Sequence, residues 1–137
     1  MIGKAIAFVY VKDNPEIISL MNTDGSGMQQ STPRSVRAIH PNWSRDGLKL
    51  AYCTDDDLAP PRKNDSDILV IDMPTRRIAA LISGGVNTYP AWSPDGKRIA
   101  FRRMLGESNS EVFVANADGT NARNLTNHPA FDGWPAW

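Results

Sequence analysis

Cysteine is almost absent from this chain. Cys53 stands alone, so no disulfide can staple the chain internally, and no Cys-x-x-Cys pair exists for redox or zinc chemistry. Set in Leu50-Ala51-Tyr52-Cys53, it reads as a small buried hydrophobe. Histidine is nearly as scarce, with only His40 and His128. There is no His-Glu-x-x-His, no Gly-x-Ser-x-Gly elbow and no glycine-rich phosphate loop, so the strong local signatures of catalysis are missing. A carboxylate pair assembled from distant loops stays open. Fifteen Lys and Arg balance fifteen Asp and Glu, and basic residues gather only in pairs such as Arg76-Arg77 and Arg102-Arg103. That excludes the phosphate-neutralising stripe of a nucleic-acid binder. No apolar run approaches the roughly 18 residues of a membrane-spanning helix. The apolar opening from Met1 to Val11 is broken by Lys12-Asp13-Asn14-Pro15 and has no small-residue cleavage site, so it reads as a strand, not as a leader. No segment longer than about ten residues carries helical apolar spacing, which leaves an all-β chain.

What the chain does have is a repeated phrase. Pro41-Asn42-Trp43-Ser44-Arg45-Asp46-Gly47 returns as Pro90-Ala91-Trp92-Ser93-Pro94-Asp95-Gly96, and Pro135-Ala136-Trp137 begins it again. Cut after each tryptophan, the chain divides into units 1–43, 44–92 and 93–137. A Trp and an Asp-Gly recurring at this period mark propeller blades or solenoid repeats.

Each unit reads as short strands bounded by turns. After Trp92, Ser93-Pro94-Asp95-Gly96 is a turn, because Pro presets its φ and Gly accepts a positive one. Asp46 and Gly47 take the same places in the middle unit. Ile99 and Phe101 then alternate with Arg98, Ala100 and Arg102 in the period of a strand with one apolar face. Glu111 to Asn116 and Ala122 to Thr126 flank Ala117-Asp118-Gly119-Thr120, a hairpin signal. Ile6-Ala7-Phe8 and Leu48 to Tyr52 match Ile99-Ala100-Phe101, and Glu16 to Asn22 and Asp67 to Asp72 match the strand after Glu111. The expectation is four antiparallel strands per unit, with residues 55–66 as a surface loop.

The run from Pro90 to Phe101, followed by Glu111 to Thr120 and Asn124-Leu125-Thr126, resembles the WD40-like repeat of TolB-like β-propellers over the whole chain. The resemblance implies an all-β fold of three four-stranded blades, a half-propeller in which each Trp-bearing segment is the innermost strand. Six blades are usual in that family, and the setting it implies is a bacterial envelope or periplasm, with the cytoplasm as the alternative. Arg45 stands where the family prefers Pro.

Propellers close with about four to eight blades, so three leave two apolar faces open. The phase of the repeat suggests a remedy. Residues 134–137 look like a first strand and Lys4 to Phe8 like a second, so a head-to-tail homodimer would close a six-bladed ring at composite blades built by Ile6, Phe8, Trp134 and Trp137, the alternative being a piece of a longer propeller or an isolated module.

His40, Tyr89 and Trp134 occupy equivalent places, each directly before the Pro of an innermost strand. With Asn42, Asn87 and Asp132 nearby, they either fill a central channel and satisfy one another or line a site for a protein, a peptide or a small ligand. Trp43, Trp92 and Trp137 read as inter-blade packing. Asp55-Asp56-Asp57 with Asp65 and Asp67 could gather oxygen ligands for calcium but lack the ordered spacing of a calcium loop, so a solvated loop is expected there and no cofactor. The sequence therefore points to a non-catalytic binding propeller. Its alternative is a propeller-type lyase or hydrolase using His40 and acidic loop residues.

Overall fold

Short runs rich in β-branched and aromatic residues, punctuated by Asp-Gly, fold as strands joined by tight turns. In the computed structural model, which describes residues 4–12, 14–55 and 65–137, they are β1 (Ala5–Tyr10), β2 (Ile17–Asn22), β3 (Gln29–Gln30), β4 (Ile39–Trp43), β5 (Lys49–Cys53), β6 (Ile68–Asp72), β7 (Ile78–Ile82), β8 (Val86–Trp92), β9 (Arg98–Met104), β10 (Ser110–Asn116) and β11 (Arg123–Asn124). No helix forms among the described residues. The strands make three antiparallel meanders, β1-β2-β3, β4-β5-β6-β7 and β8-β9-β10-β11.

The expectation of three four-stranded blades needs one correction. Among the described residues two sheets have four strands, and the first has three. The reason is phase: each Trp-bearing segment opens the sheet that follows it, so Ile39–Trp43 belongs to the second blade and Val86–Trp92 to the third. The units cut at tryptophan therefore straddle the sheets. Residues 134–137, expected as a strand, pair with no strand among the described residues.

Blades stack face to face, and the core lies between them. Ile18 and Leu20 of the first blade meet Leu50, Tyr52 and Ile71 of the second, with Trp43 against them. Ala51, Cys53 and Ile68 of the second meet Trp92, Ile99 and Phe101 of the third. Alternate residues of β5 thus point to opposite neighbours, and both faces are dry. Fully burying a side chain such as Phe101 is worth about 1.5–3 kcal/mol, so the stack depends on every blade having a neighbour. A bidentate pair from Arg37 to Glu16, 2.9 and 3.0 Å, together with Arg37 to Asp55 at 3.0 Å, ties the first blade to the second. That contact engages Asp55, the first residue of the acidic cluster. Asp56 and Asp57 lie outside the described residues, and Asp67 is engaged through its backbone N–H with Thr54. No group of three potential metal-ligating side chains assembles among the described residues.

Candidate functional site

The innermost strands β4 and β8 are not regular. Proline has no N–H for the ladder, so Pro41 and Pro90 break the pairing, and the register slips between Ile39 and Asn42 and between Thr88 and Ala91. Such bulges re-aim a side chain. The residue before each proline takes a left-handed conformation, with φ of 53° at His40 and 52° at Tyr89. Trp134 repeats it at 54°. Backbone of this kind costs about 1–3 kcal/mol per bulky residue and clusters where a side chain has a task.

The three bent residues come together. The rings of His40 and Tyr89 stack at 3.9 Å, and Trp134 meets Tyr89 edge-on at 5.7 Å. They line one cleft of about 470 Å³ with Trp43, Trp92 and Trp137. Asn42 reaches it too, and its Oδ1 accepts a hydrogen bond from the backbone N–H of Trp92 at 2.9 Å, bridging two blades. The indole nitrogens of Trp43 and Trp92 are buried and meet no hydrogen-bond partner among the described residues. Aromatic walls suit a flat or extended ligand. His40 Nδ1 lies 3.3 Å from the Cys53 sulfur.

Two residues expected at the channel are elsewhere. Asn87 is fully buried. Its amide donates to the carbonyls of Ser66 and Gly84, and its oxygen accepts from Arg103 Nε at 2.7 Å, so it fixes the crossover between the second and third blades. Asp132 lies 3.1 Å from His128 Nε2 and does not line the cleft. Both sit five residues before a tryptophan, ahead of the bend that aims the residue before proline into the cleft.

One residue behaves against its apparent strand pattern. Arg102, read as part of the polar face of β9, is completely buried. Its Nε donates to Thr88 Oγ1 at 2.9 Å, and its guanidinium lies over the rings of Tyr89, Phe131 and Trp134 at 4.7, 5.4 and 6.0 Å. A signal for this was in the repeat: Arg102 stands ten residues after Trp92, as Cys53 stands ten after Trp43. The place that is buried in one blade is buried in the next.

Antiparallel meanders stacked face to face, with bulged innermost strands around an aromatic cleft, define a run of β-propeller blades. The model for the TolB beta propeller domain matches residues 2–137, and the chain belongs to that family. A Tol-Pal system protein TolB from Desulfosudis oleivorans is 31% identical over 121 residues, covering 88% of this chain and 26% of that protein. A TolB homolog from Chlorobium luteolum is 28% identical over 135 residues, covering 98% and 29%. The structure of a putative TolB from Agrobacterium tumefaciens superposes with a TM-score of 0.81 at 24% identity, covering 97% of this chain and 46% of that one. The chain spans less than a third of the length of these two curated relatives.

Proposed function

We propose that this chain acts as a non-catalytic interaction propeller whose aromatic cleft holds an extended peptide or other acceptor-bearing segment of a partner. The observation that carries the reading is the cleft: three bent inner segments converge their rings on it. An extended chain laid across those rings would remove apolar surface from water. The relatives named for the Tol-Pal system support a periplasmic or envelope setting for such a scaffold.

Function as a closed ring needs the exposed end faces covered. Ile6 is 40% exposed at one end and Trp137 50% at the other. The reading here is a head-to-tail homodimer, three blades from each copy.

The test is fluorescence titration of the chain with unstructured decapeptides of proline-rich, acidic and apolar composition. Saturable change with one class, abolished in His40→Asn with Tyr89→Asn, is expected; Asn keeps the left-handed backbone accessible. Turnover of a glycoside or ester panel without stoichiometric peptide binding would overturn the reading.

A further inference from the structure

We infer that β7 is a docking edge: its open side takes an extended segment of a partner protein as an added antiparallel strand, with an apolar side chain opposite Ala79 and an acidic one opposite Arg77. This surface is separate from the aromatic cleft and shares only Trp92 with it.

The outer strands of the three blades are unlike one another. β3 is Gln29–Gln30 and β11 is Arg123–Asn124, two polar residues each, whereas β7 is the five-residue run Ile-Ala-Ala-Leu-Ile. Sheet edges are ordinarily blunted by short length, charge or proline. β7 has none of these devices, and Ile78, Ala79 and Ala80 are exposed. Its blade packs between the other two, and among the described residues β6 is its only strand neighbour.

The backbone of this edge is placed for pairing. The N–H of Asp72 donates to the Arg77 carbonyl at 2.9 Å, and in an antiparallel ladder hydrogen-bonded and non-bonded pairs alternate. Val70 and Ala79 form the next bonded pair, so Ile78 and Ala80 turn their N–H and C=O groups away from β6. The far end is closed. Ile68 pairs Ile82 while Leu69 pairs Ala80, which leaves Leu81 as a bulge, and a Cβ on Gly119 would meet the Leu81 carbonyl oxygen at 2.3 Å. A turn of the third blade therefore abuts the strand there, and the open edge runs over residues 77–80.

Beside that edge lies a groove of about 440 Å³ between the second and third blades, with Val70, Leu81, Trp92 and Ala117 as its apolar wall. Side chains alternate across a strand, so Ala79 shares the groove face with Val70, and Arg77 shares it with Asp72 and Lys49, which stand in one row across three strands. The row reads cation, anion, cation. Asp72 is already engaged, because the N–H and hydroxyl of Thr75 donate to its Oδ1 at 3.0 and 2.6 Å, and Asp118 on the facing turn is held in the same way by Thr120. Among the described residues neither Lys49 nor Arg77 meets an acid within ion-pair distance. The next place in the row, on a strand added beside Arg77, suits a carboxylate, since opposed charges stabilise cross-strand neighbours and like charges destabilise them. An aliphatic side chain opposite Ala79 fills the groove where alanine leaves room. Main-chain bonds supply the affinity of such a contact, and the alternate side chains its choice of partner.

The test titrates the isotope-labelled chain with the capped pentapeptide Ser-Thr-Ile-Thr-Glu, which sets its Ile opposite Ala79 and its Glu opposite Arg77, and follows the amide resonances. Saturable shifts centred on Ile78 and Ala80 are expected. The same peptide ending in Lys should bind about fivefold more weakly, the scale of replacing an opposed cross-strand charge by a like one, and Arg77→Glu should reverse that order. Methylating the two threonine nitrogens of the peptide, which keeps every side chain, should abolish binding to the unaltered chain. Equal binding of the methylated peptide would overturn strand addition, and an unchanged order of the two peptides in Arg77→Glu would overturn the acidic requirement. Shifts confined to His40 and Tyr89 would place the peptide in the cleft and overturn the proposal. Protection of the Ile78 and Ala80 amides from hydrogen exchange before peptide is added would overturn it too: the occupant is then the chain itself if protection survives dilution, and a second copy if dilution removes it.

Discussion

Arg102 shows how much one side chain contributes at the residue scale. Its charge is removed from water, one N–H is directed to Thr88, and three rings cover its plane. Arg102→Ala should therefore cost about 2–4 kcal/mol in urea unfolding, through lost packing as well as lost polar contacts. Arg102→Met, which keeps much of the volume, should cost less. Gly119 makes a second residue-level test. It has φ of 84°, and a Cβ there would meet the Leu81 carbonyl oxygen at 2.3 Å, whereas Gly84 has the same φ and open space around it. Gly119→Ala should lose more than about 2 kcal/mol, and Gly84→Ala about 1 kcal/mol, the cost of conformation alone. Equal losses would show that the close approach to Leu81 does not matter. Neither Arg102 nor Gly119 is informative read singly, because burial and close approach depend on a neighbouring blade that lies far away in the chain.

At the scale of the element, the repeated Ser-x-Asp-Gly turn explains both hairpins that leave a tryptophan strand. Ser44 Oγ donates to Asp46 at 2.6 Å and Ser93 Oγ to Asp95 at 2.5 Å, while the backbone N–H groups of Leu48 and Lys97 donate to the same carboxylates at 3.0 Å. Gly47 and Gly96 complete the turns at positive φ. The serine hydroxyl first, and then the backbone N–H, hold the Asp46 and Asp95 carboxyls below the usual carboxylate range. Asp24, Asp72 and Asp118 are lowered in the same way by Ser26, Thr75 and Thr120. A depressed folded pKa contributes stability above the unfolded value and loses it as pH falls through the folded one. The urea midpoint should thus be flat from pH 7 to 5 and decline below about pH 4, and Asp46→Asn with Asp95→Asn should flatten that decline. Arg45 is exposed at the turn position that Pro94 fills in the next blade. Arg45→Pro should stabilise by about 0.5–1 kcal/mol by restricting the unfolded chain. These turns were legible in the sequence because their chemistry is local, complete within five residues.

At the scale of the whole molecule, stacking of blades decides behaviour. Tyr52 lies in the seam between the first two blades, and burial pushes its hydroxyl up to about 12. A raised folded pKa gives stability present below the unfolded value of about 10 and lost as pH rises from there toward 12, so a second fall in stability is expected in strong alkali. Tyr52→Phe should remove it, as followed by thermal melts from pH 9 to 12.

The sequence by itself determined what repeats and local contacts can encode. The period of the tryptophans, the Asp-Gly turns and the alternating runs were enough to define all-β blades and the order of their strands. The same repeat marked His40, Tyr89 and Trp134 as equivalents. Tertiary structure alone decided which of the proposed channel residues reach the cleft: His40, Asn42, Tyr89 and Trp134 do, while Asn87 turns into a buried crossover and Asp132 toward His128. It also decided that the first sheet has three strands and that Arg102 is inside. The physical reason is that a turn is closed by residues a few positions apart. A cleft and a seam are closed by side chains about one blade apart in the chain, and their directions are set by bulges and stacking that no single strand pattern contains.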